Sequence, residues 1–313
     1  MVYFLLMSIP LISVIIPTFN RAKMVCDCVG AVLASADVDF EVIVVDDCST
    51  EDVAAALKNA IGDDPRLRCL RNEVNLQLGK SRTRGAKEAR GELLLFLDDD
   101  NIVDREMLKN LADEFIRHDD TGLVAPMAVH VNGYKDGTVW TLGSDFNRWT
   151  SQPDDHLAGI PLAELPTGQT RFPTLYCPNA FMVRKAVFEQ IGGFDFNLPF
   201  NYDDADLGWR IHDLGLKNWI LSTARTRHMN FMSDSDTMQL RQLGLNAPWK
   251  AYTLSRNRLH FVRKHFTLPQ ILCVTFIFAP LSAAYYCTVA LKNHRPDIAW
   301  AYFKGTLAGI FGL

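Results

Sequence analysis

Over its first hundred residues the chain alternates short aliphatic runs with segments whose apolar residues recur at helical spacing, the pattern of a sheet wound with helices. Residues 11–17, 40–45, 67–70 and 92–97 read as strands. The first, second and fourth are continuous Ile, Val and Leu runs, as expected where helices cover both faces of a mostly parallel sheet. Helices are predicted over residues 22–36, 51–61, 80–90 and 105–117, the last with Asp104 placed to cap it.

From residue 122 to about 174 the periodicity loosens into short strands and loops rich in Gly, Pro and Asp, including 132–137 and 152–168, which suits surface loops over a cleft. Order returns at residues 176–183, then a helix at 185–191, the Gly192-Gly193 break, a helix at 203–214 and a strand at 219–222. Residues 248–265 form a longer helix carrying Arg256, Arg258, Arg263 and Lys264. Residues 266–291 then hold no charged side chain, more than the roughly 20 residues that cross a bilayer. Arg263 and Lys264 precede this run and Lys292 and Arg295 follow it, so charge gives no orientation. Pro280 interrupts it near the middle. Three arrangements stay open: one span, a re-entrant or interfacial hairpin, or a helical hairpin buried in a soluble core. Residues 298–313, with Trp300, Tyr302 and Phe303 near Lys304, suit a helix at the level of lipid headgroups. The organisation expected is an α/β domain over residues 9–240, followed over 241–313 by a basic helix and apolar, membrane-associated helices.

Composition narrows the class. A hydrophobic fraction of 48% against 22% charged residues is ordinary for a folded chain of 313 residues and too apolar for extended disorder. Lys+Arg 32 against Asp+Glu 36 leaves a net charge of -4, so no basic excess advertises a nucleic-acid surface. The seven cysteines, at 26, 28, 48, 69, 177, 273 and 287, show no paired zinc spacing and read as reduced, intracellular thiols. The opening MVYFLLMS lacks a basic n-region and is too short for a signal-peptide core with its cleavage site, which argues against secretion; Met7 is a second possible start.

The strongest chemical signal is Leu93-Leu94-Leu95-Phe96-Leu97 followed by Asp98-Asp99-Asp100-Asn101. Three successive carboxylates at the end of a buried strand repel one another, so something cationic belongs there. Hard oxygen ligands suit Mg²⁺ or Mn²⁺, which commonly combine one or two carboxylates with substrate phosphate oxygens. Asp46-Asp47 ends the second strand in the same way, with Asp47 as a helix N-cap the plainer reading. Ligands of open α/β sheets bind beyond the carboxyl ends of the strands, so both clusters are expected to face one site, one toward a base or sugar and the other toward a metal over phosphates. A third acidic cluster, Asp203-Asp204-Ala205-Asp206, opens a helix. The helix dipole accounts for one or two of its carboxylates, and one near a reaction centre can serve as a general base.

Together these stretches resemble the family 2 glycosyltransferases. The resemblance runs from Val14-Ile15-Ile16-Pro17-Thr18-Phe19-Asn20-Arg21 through Val44-Val45-Asp46-Asp47-Cys48-Ser49, Ala89-Arg90-Gly91-Glu92, Leu97-Asp98-Asp99-Asp100 and Gly192-Gly193-Phe194-Asp195 to Asp203-Asp204-Ala205-Asp206-Leu207 and Arg210. It implies a GT-A fold, Rossmann-like with helices on both faces of its sheet, and an inverting transfer of one sugar from a nucleotide-diphosphate sugar. It implies that Pro17, Thr18, Asp46 and Asp47 border the nucleotide, with Asp99 near the ribose and Asp98 and Asp100 in the positions of the DxD motif. Asp100 is then the direct metal ligand, His228 lies close to the diphosphate and the metal, and Asp204 is the catalytic base. The family's Arg-Asn-x-Gly appears here as Arg82-Thr83-Arg84-Gly85, keeping Arg82 in the donor site while changing the asparagine. No Gln-x-x-Arg-Trp is present, which argues against processive polysaccharide synthesis.

Gly79-Lys80-Ser81 is no P-loop, since Val74 stands where that motif needs glycine, and no G-x-G-x-x-G follows a strand. Two readings compete with the transferase. A sugar-phosphate nucleotidyltransferase would need a glycine-rich loop where Pro17 to Arg21 stands. A non-catalytic, membrane-bound nucleotide-sugar-binding subunit would not need all three acidic clusters. The expected acceptor is a saccharide or lipid-linked saccharide met at the cytoplasmic face of a membrane, in the synthesis of cell-surface glycans.

Overall fold

The computed structural model describes residues 11–131, 136–229, 239–240 and 243–312. By contact the chain falls into two compact units. The first comprises residues 1–144, 155–193 and 207–230; the second gathers 145–154, 194–206 and 231–313.

In the first unit the elements run β1 (Ile12–Thr18), α1 (Ala22–Leu33), β2 (Phe40–Asp46), α2 (Val53–Ile61), β3 (Leu67–Arg71), α3 (Leu78–Glu88), β4 (Leu93–Leu97), β5 (Asn101–Val103), α4 (Met107–Arg117) and β6 (Thr121–Val131). Short strands β7 (Ser144–Phe146) and β8 (Pro153–Asp155), most of whose residues are counted with the second unit, pair with each other. Then come β9 (Arg171–Pro173), β10 (Ala180–Arg184), α5 (Lys185–Gln190), α6 (Asp203–Asp213), whose first turn is counted with the second unit, and β11 (Lys217–Met229). Among the described residues nine strands form one sheet in the order β3-β2-β1-β4-β10-β6-β11-β5, with β9 also on β11. The sheet is mixed rather than mostly parallel. β3, β2, β1 and β4 are parallel, β10 runs antiparallel to both its neighbours, and β11 is parallel to β6 but antiparallel to β5 and β9.

The aliphatic runs are buried on both faces, as their composition predicts. Ile12, Val14 and Ile16 pack with Val25, Val29 and Val32 of α1 and Leu108 and Leu111 of α4. On the opposite face Phe96 lies 5.1 Å from Phe188 of α5, and α3 comes so close that a Cβ on Gly85 would stand 2.5 Å from Ile15. One expectation fails. Asp104 does not cap α4 through its side chain: the N-cap is Glu106 without a side-chain bond, and Asp104 offers its carbonyl to Met107. Residues 122–174 open with a strand longer than expected, β6, buried in all but its last residue, and then run as short strands and loops, as the sequence predicts.

The second unit is built on three helices, α7 (Pro248–His265), α8 (Leu268–Lys292) and α9 (Pro296–Phe311). α8 is one helix and not a hairpin. Thr267 and Gln270 form a capping box at its start. Pro280 is absorbed without a break, preceded by a π-helical turn over Val274–Phe278, the kind of local widening that accommodates an interrupted hydrogen-bond ladder. By length and composition α8 could cross a membrane, and only 22% of its apolar window is buried. α9 packs on α7: Cβ atoms on Gly305 and Gly309 would stand 2.3 Å from the Tyr252 carbonyl and 2.9 Å from Leu259. Small residues spaced by four let the two backbones approach in this way. Ser255 donates to the Tyr302 carbonyl at 2.9 Å, while Trp300 and Phe311 remain exposed.

Candidate functional site

The carboxyl ends of β1, β2 and β4 carry the acidic residues singled out in the sequence, and local hydrogen bonding fixes each one. Asp98 accepts from an Nη of Arg82 at 2.7 Å. The Arg82 side chain is wholly buried and its guanidinium lies 5.7 Å from the centre of the Phe181 ring. Asp99 accepts from Thr18 Oγ1 at 2.7 Å and from Arg21 at 3.0 Å; Arg21 also reaches Asp100 at 3.4 Å. Asp100 faces His228 Nε2 at 3.5 Å, and the buried His228 Nδ1 has no partner among the described residues. Trp140 packs against the His228 ring with centroids 4.7 Å apart. Asn101 and Asn179 exchange two bonds of 2.7 Å, which pins the turn after β4 to the start of β10.

This packing separates two neighbouring carboxyls. Burial and the adjacent Asp100 push Asp99 above the usual range, against the pull of Arg21 and Thr18. Burial would raise Asp100 as well, but the hydrogen bond and charge of His228, together with Arg21, hold it below that range. The same burial and the nearby carboxylates push the Cys28 thiol far up, so it stays neutral.

The β2 cluster is engaged as well. Asp46 is 1% exposed, and its oxygens accept from Ser49 N at 2.9 Å and from Arg71 at 2.5 Å. Asp47 is not the cap of α2, a role that falls to Asp52. Its carboxylate accepts instead from the main-chain N–H groups of Leu76 and Gln77 at 2.8 and 2.9 Å and from Asn72 at 2.7 Å, which sets the entry into α3. Pro17 pairs with Val45 inside the sheet, and Thr18 is 3% exposed. The β1, β2 and β4 residues predicted for the site thus share one edge of one sheet, and β11 brings His228 to Asp100. Arg21 and Asn72 were not foreseen as site residues. The signal for Arg21 was present, since three adjacent carboxylates demand a cation.

Asp204 lies in the first turn of α6, half-buried. Residues 230–233, the remainder of the segment after His228 and Met229, fall outside those described. No group of three His, Cys, Asp or Glu side chains among the described residues could hold a metal alone.

The family model for glycosyl transferase family 2 matches residues 13–192, more than half of the chain and the whole β1-to-α5 frame. The chain belongs to that family. It is 34% identical over 137 residues to the poly(ribitol-phosphate) beta-N-acetylglucosaminyltransferase TarS of Staphylococcus aureus, a match covering 39% of this chain and 22% of TarS. The chain therefore spans about a fifth of that relative's length. Among solved structures, GalNAc-T7 with UDP, GalNAc and Mn²⁺ superposes with a TM-score of 0.60 at 16% identity, over 92% of this chain and 58% of that one. The mannosyltransferase PcManGT from Pyrobaculum calidifontis, in complex with GDP-Man and Mn²⁺, does so with 0.57 at 12% identity, over 97% and 88%. At these identities the likeness shows the fold, a GT-A arrangement with a mixed sheet.

Proposed function

We propose that this chain is an inverting, divalent-metal-dependent glycosyltransferase that moves one sugar from a nucleotide-diphosphate sugar to a hydroxyl of a lipid-linked saccharide at the cytoplasmic face of a membrane. The observation that carries the reading is the strand end at Asp98, Asp99 and Asp100, where Arg82, Arg21 and Thr18 hold two of the carboxylates and the third stands against His228. That donor set suits Mg²⁺ or Mn²⁺: Asp100 and His228 are hard or borderline ligands, Asp98 is adjacent, and diphosphate oxygens would complete the shell. Both solved neighbours named above carry Mn²⁺. Held by Asp100 and His228, such a cation would supply charge neutralisation for the leaving diphosphate.

The rest falls to side chains. Pro17, Thr18, Asp46, Asp47, Arg82 and Asp99 shape the nucleotide end of the site. Asp204 accepts the proton of the acceptor hydroxyl as that oxygen attacks the anomeric carbon from the face opposite the diphosphate, so configuration inverts. In this reading residues 9–240 are the catalytic domain and 241–313 bring it to the bilayer. Support for the last point is the length of α8 and its exposed Leu268, Phe276, Leu281 and Leu291.

Turnover of sugar nucleotides with the full chain in detergent tests this. Activity is expected to vanish in EDTA and in Asp100→Ala and to return to the wild type with Mn²⁺. Asp204→Asn is expected to lower turnover by about 10²- to 10⁴-fold with donor affinity kept. Full activity in EDTA, or an unchanged Asp204→Asn, overturns the reading.

A further inference from the structure

The cations of α7, expected from the sequence to lie near anionic headgroups or the acceptor's phosphates, find different partners. Arg263 donates to the Ile310 carbonyl at 2.6 Å. Lys264 meets the carboxylates of Asp195 and Asp206, each at 2.7 Å. Arg256 reaches the Asn197 carbonyl at 3.1 Å and the Asn257 side-chain oxygen at 2.9 Å. Arg258 is the most deeply placed, at 4% exposure. Its Nε donates to the Tyr202 hydroxyl at 3.2 Å and an Nη to the Ser282 hydroxyl at 3.0 Å, and no carboxylate among the described residues lies within ion-pair distance. A guanidinium cannot discharge itself by losing a proton, and burying a full charge without its opposite is strongly unfavourable.

The two hydroxyls point to what completes the cluster. Each accepts from Arg258, keeps its own proton to donate, and has no other partner among the described residues. One fixed cation and two O–H donors therefore converge, a set matched to the oxygens of a phosphate. Tyr202 and Ser282 are half-buried, so the cluster reaches the surface through them. Ser282 stands on α8 between Leu281 and Tyr285, which are 61% and 55% exposed. Tyr202 immediately precedes Asp203 and Asp204.

We propose that Arg258, Tyr202 and Ser282 bind a phosphate group carried by a lipid, the anchor of the acceptor, with the apolar side of α8 along its hydrocarbon chain. The inference rests on the lipid-linked acceptor proposed above and assigns the residues that recognise it. Inorganic phosphate offers the same oxygens without the chain, so the two sources must be separated.

The test is flotation of the full chain with neutral phosphatidylcholine vesicles doped with either a polyprenyl phosphate or the uncharged polyprenol of equal length. Wild type is expected to bind the phosphate-bearing vesicles about 10- to 100-fold more tightly, a preference that Arg258→Gln abolishes, Arg258→Lys largely keeps, and Ser282→Ala reduces several-fold. Equal binding of wild type to both vesicles overturns the proposal, as does an Arg258→Gln variant that keeps the preference. Loss of the wild-type preference in millimolar inorganic phosphate overturns the lipid assignment in favour of the free ion. Should Arg258→Gln fail to fold, an undiminished preference in both Ser282→Ala and Tyr202→Phe overturns it instead. No sugar donor enters this assay, so failure of sugar transfer would count against the proposed function and leave the phosphate site standing.

Discussion

At the end of β4 three carboxylates crowd together, and along α7 three arginines and a lysine do the same with the opposite sign. The first group is balanced from within its own unit: Arg82 meets Asp98, and Arg21 bridges Asp99 and Asp100. The second is balanced unevenly. Lys264 has two carboxylates, Arg263 has a neutral carbonyl, and among the described residues Arg258 has only hydroxyls. Internal pairing makes a stiff frame, because each charge is held by a partner whose removal would strand it. Incomplete pairing leaves a demand that something outside the chain can meet.

Variants on each side sharpen the contrast. The largest effect is expected from Arg82→Met, which strands Asp98 beside two other carboxylates and lowers unfolding stability by about 3 kcal/mol; denaturant titration reads this, and adding Asp98→Asn should restore part of the loss. A stability within error of wild type would show that the β4 end is not held by this pair. Asp206→Asn comes next. It leaves the buried His265 and Lys264 without their shared carboxylate, and its expected cost is about 2 kcal/mol by the same measurement.

Lys264→Met should cost least, about 0.5 kcal/mol at neutral pH, because the lysine is 34% exposed. Its signature is in the pH dependence. Burial raises the Asp195 carboxyl, but the hydrogen bonds from Lys264 and the Asn197 main chain outweigh it and hold the group below its usual range. A depressed folded-state value stabilises above the ordinary carboxylate range and ceases to as pH falls through the folded value. The gap between wild type and Lys264→Met should therefore be full at pH 6 and close below about pH 4. A gap that widens in acid would reverse the assignment.

The parallel half of the sheet was legible because its strands are apolar on both faces, and α7 was placed to the residue. β6 and β11 were under-read for a physical reason. Gly122 and Pro126 punctuate β6, and the second half of β11, from Thr223 to Met229, is mostly polar; it is chiefly their parallel pairing with each other that makes long strands of them. The site was legible as carboxylates and illegible as pairs. Arg21 stands 78 residues from Asp99, a separation no local pattern encodes. The composition of α8 announced an apolar helix. Its passage through Pro280 depends on a single wide turn, and its partner α9 depends on two glycines, features that hydropathy does not register.

The second unit also fixes an order of events during synthesis. Residues 145–154 and 194–206 belong with a helical core that begins only after residue 230. Asn257 holds the Phe200 carbonyl at 2.6 Å across 57 residues, and α7 is in turn covered by α9. On a growing chain the turn that bears Asp203 and Asp204 leaves the ribosome well before the helices that shape it. It must wait as an unfinished loop until those helices emerge, since domains form as their parts emerge and distant contacts close last. The carboxylate-bearing strand ends of the first unit can thus be assembled while the segment carrying the proposed base is still unformed.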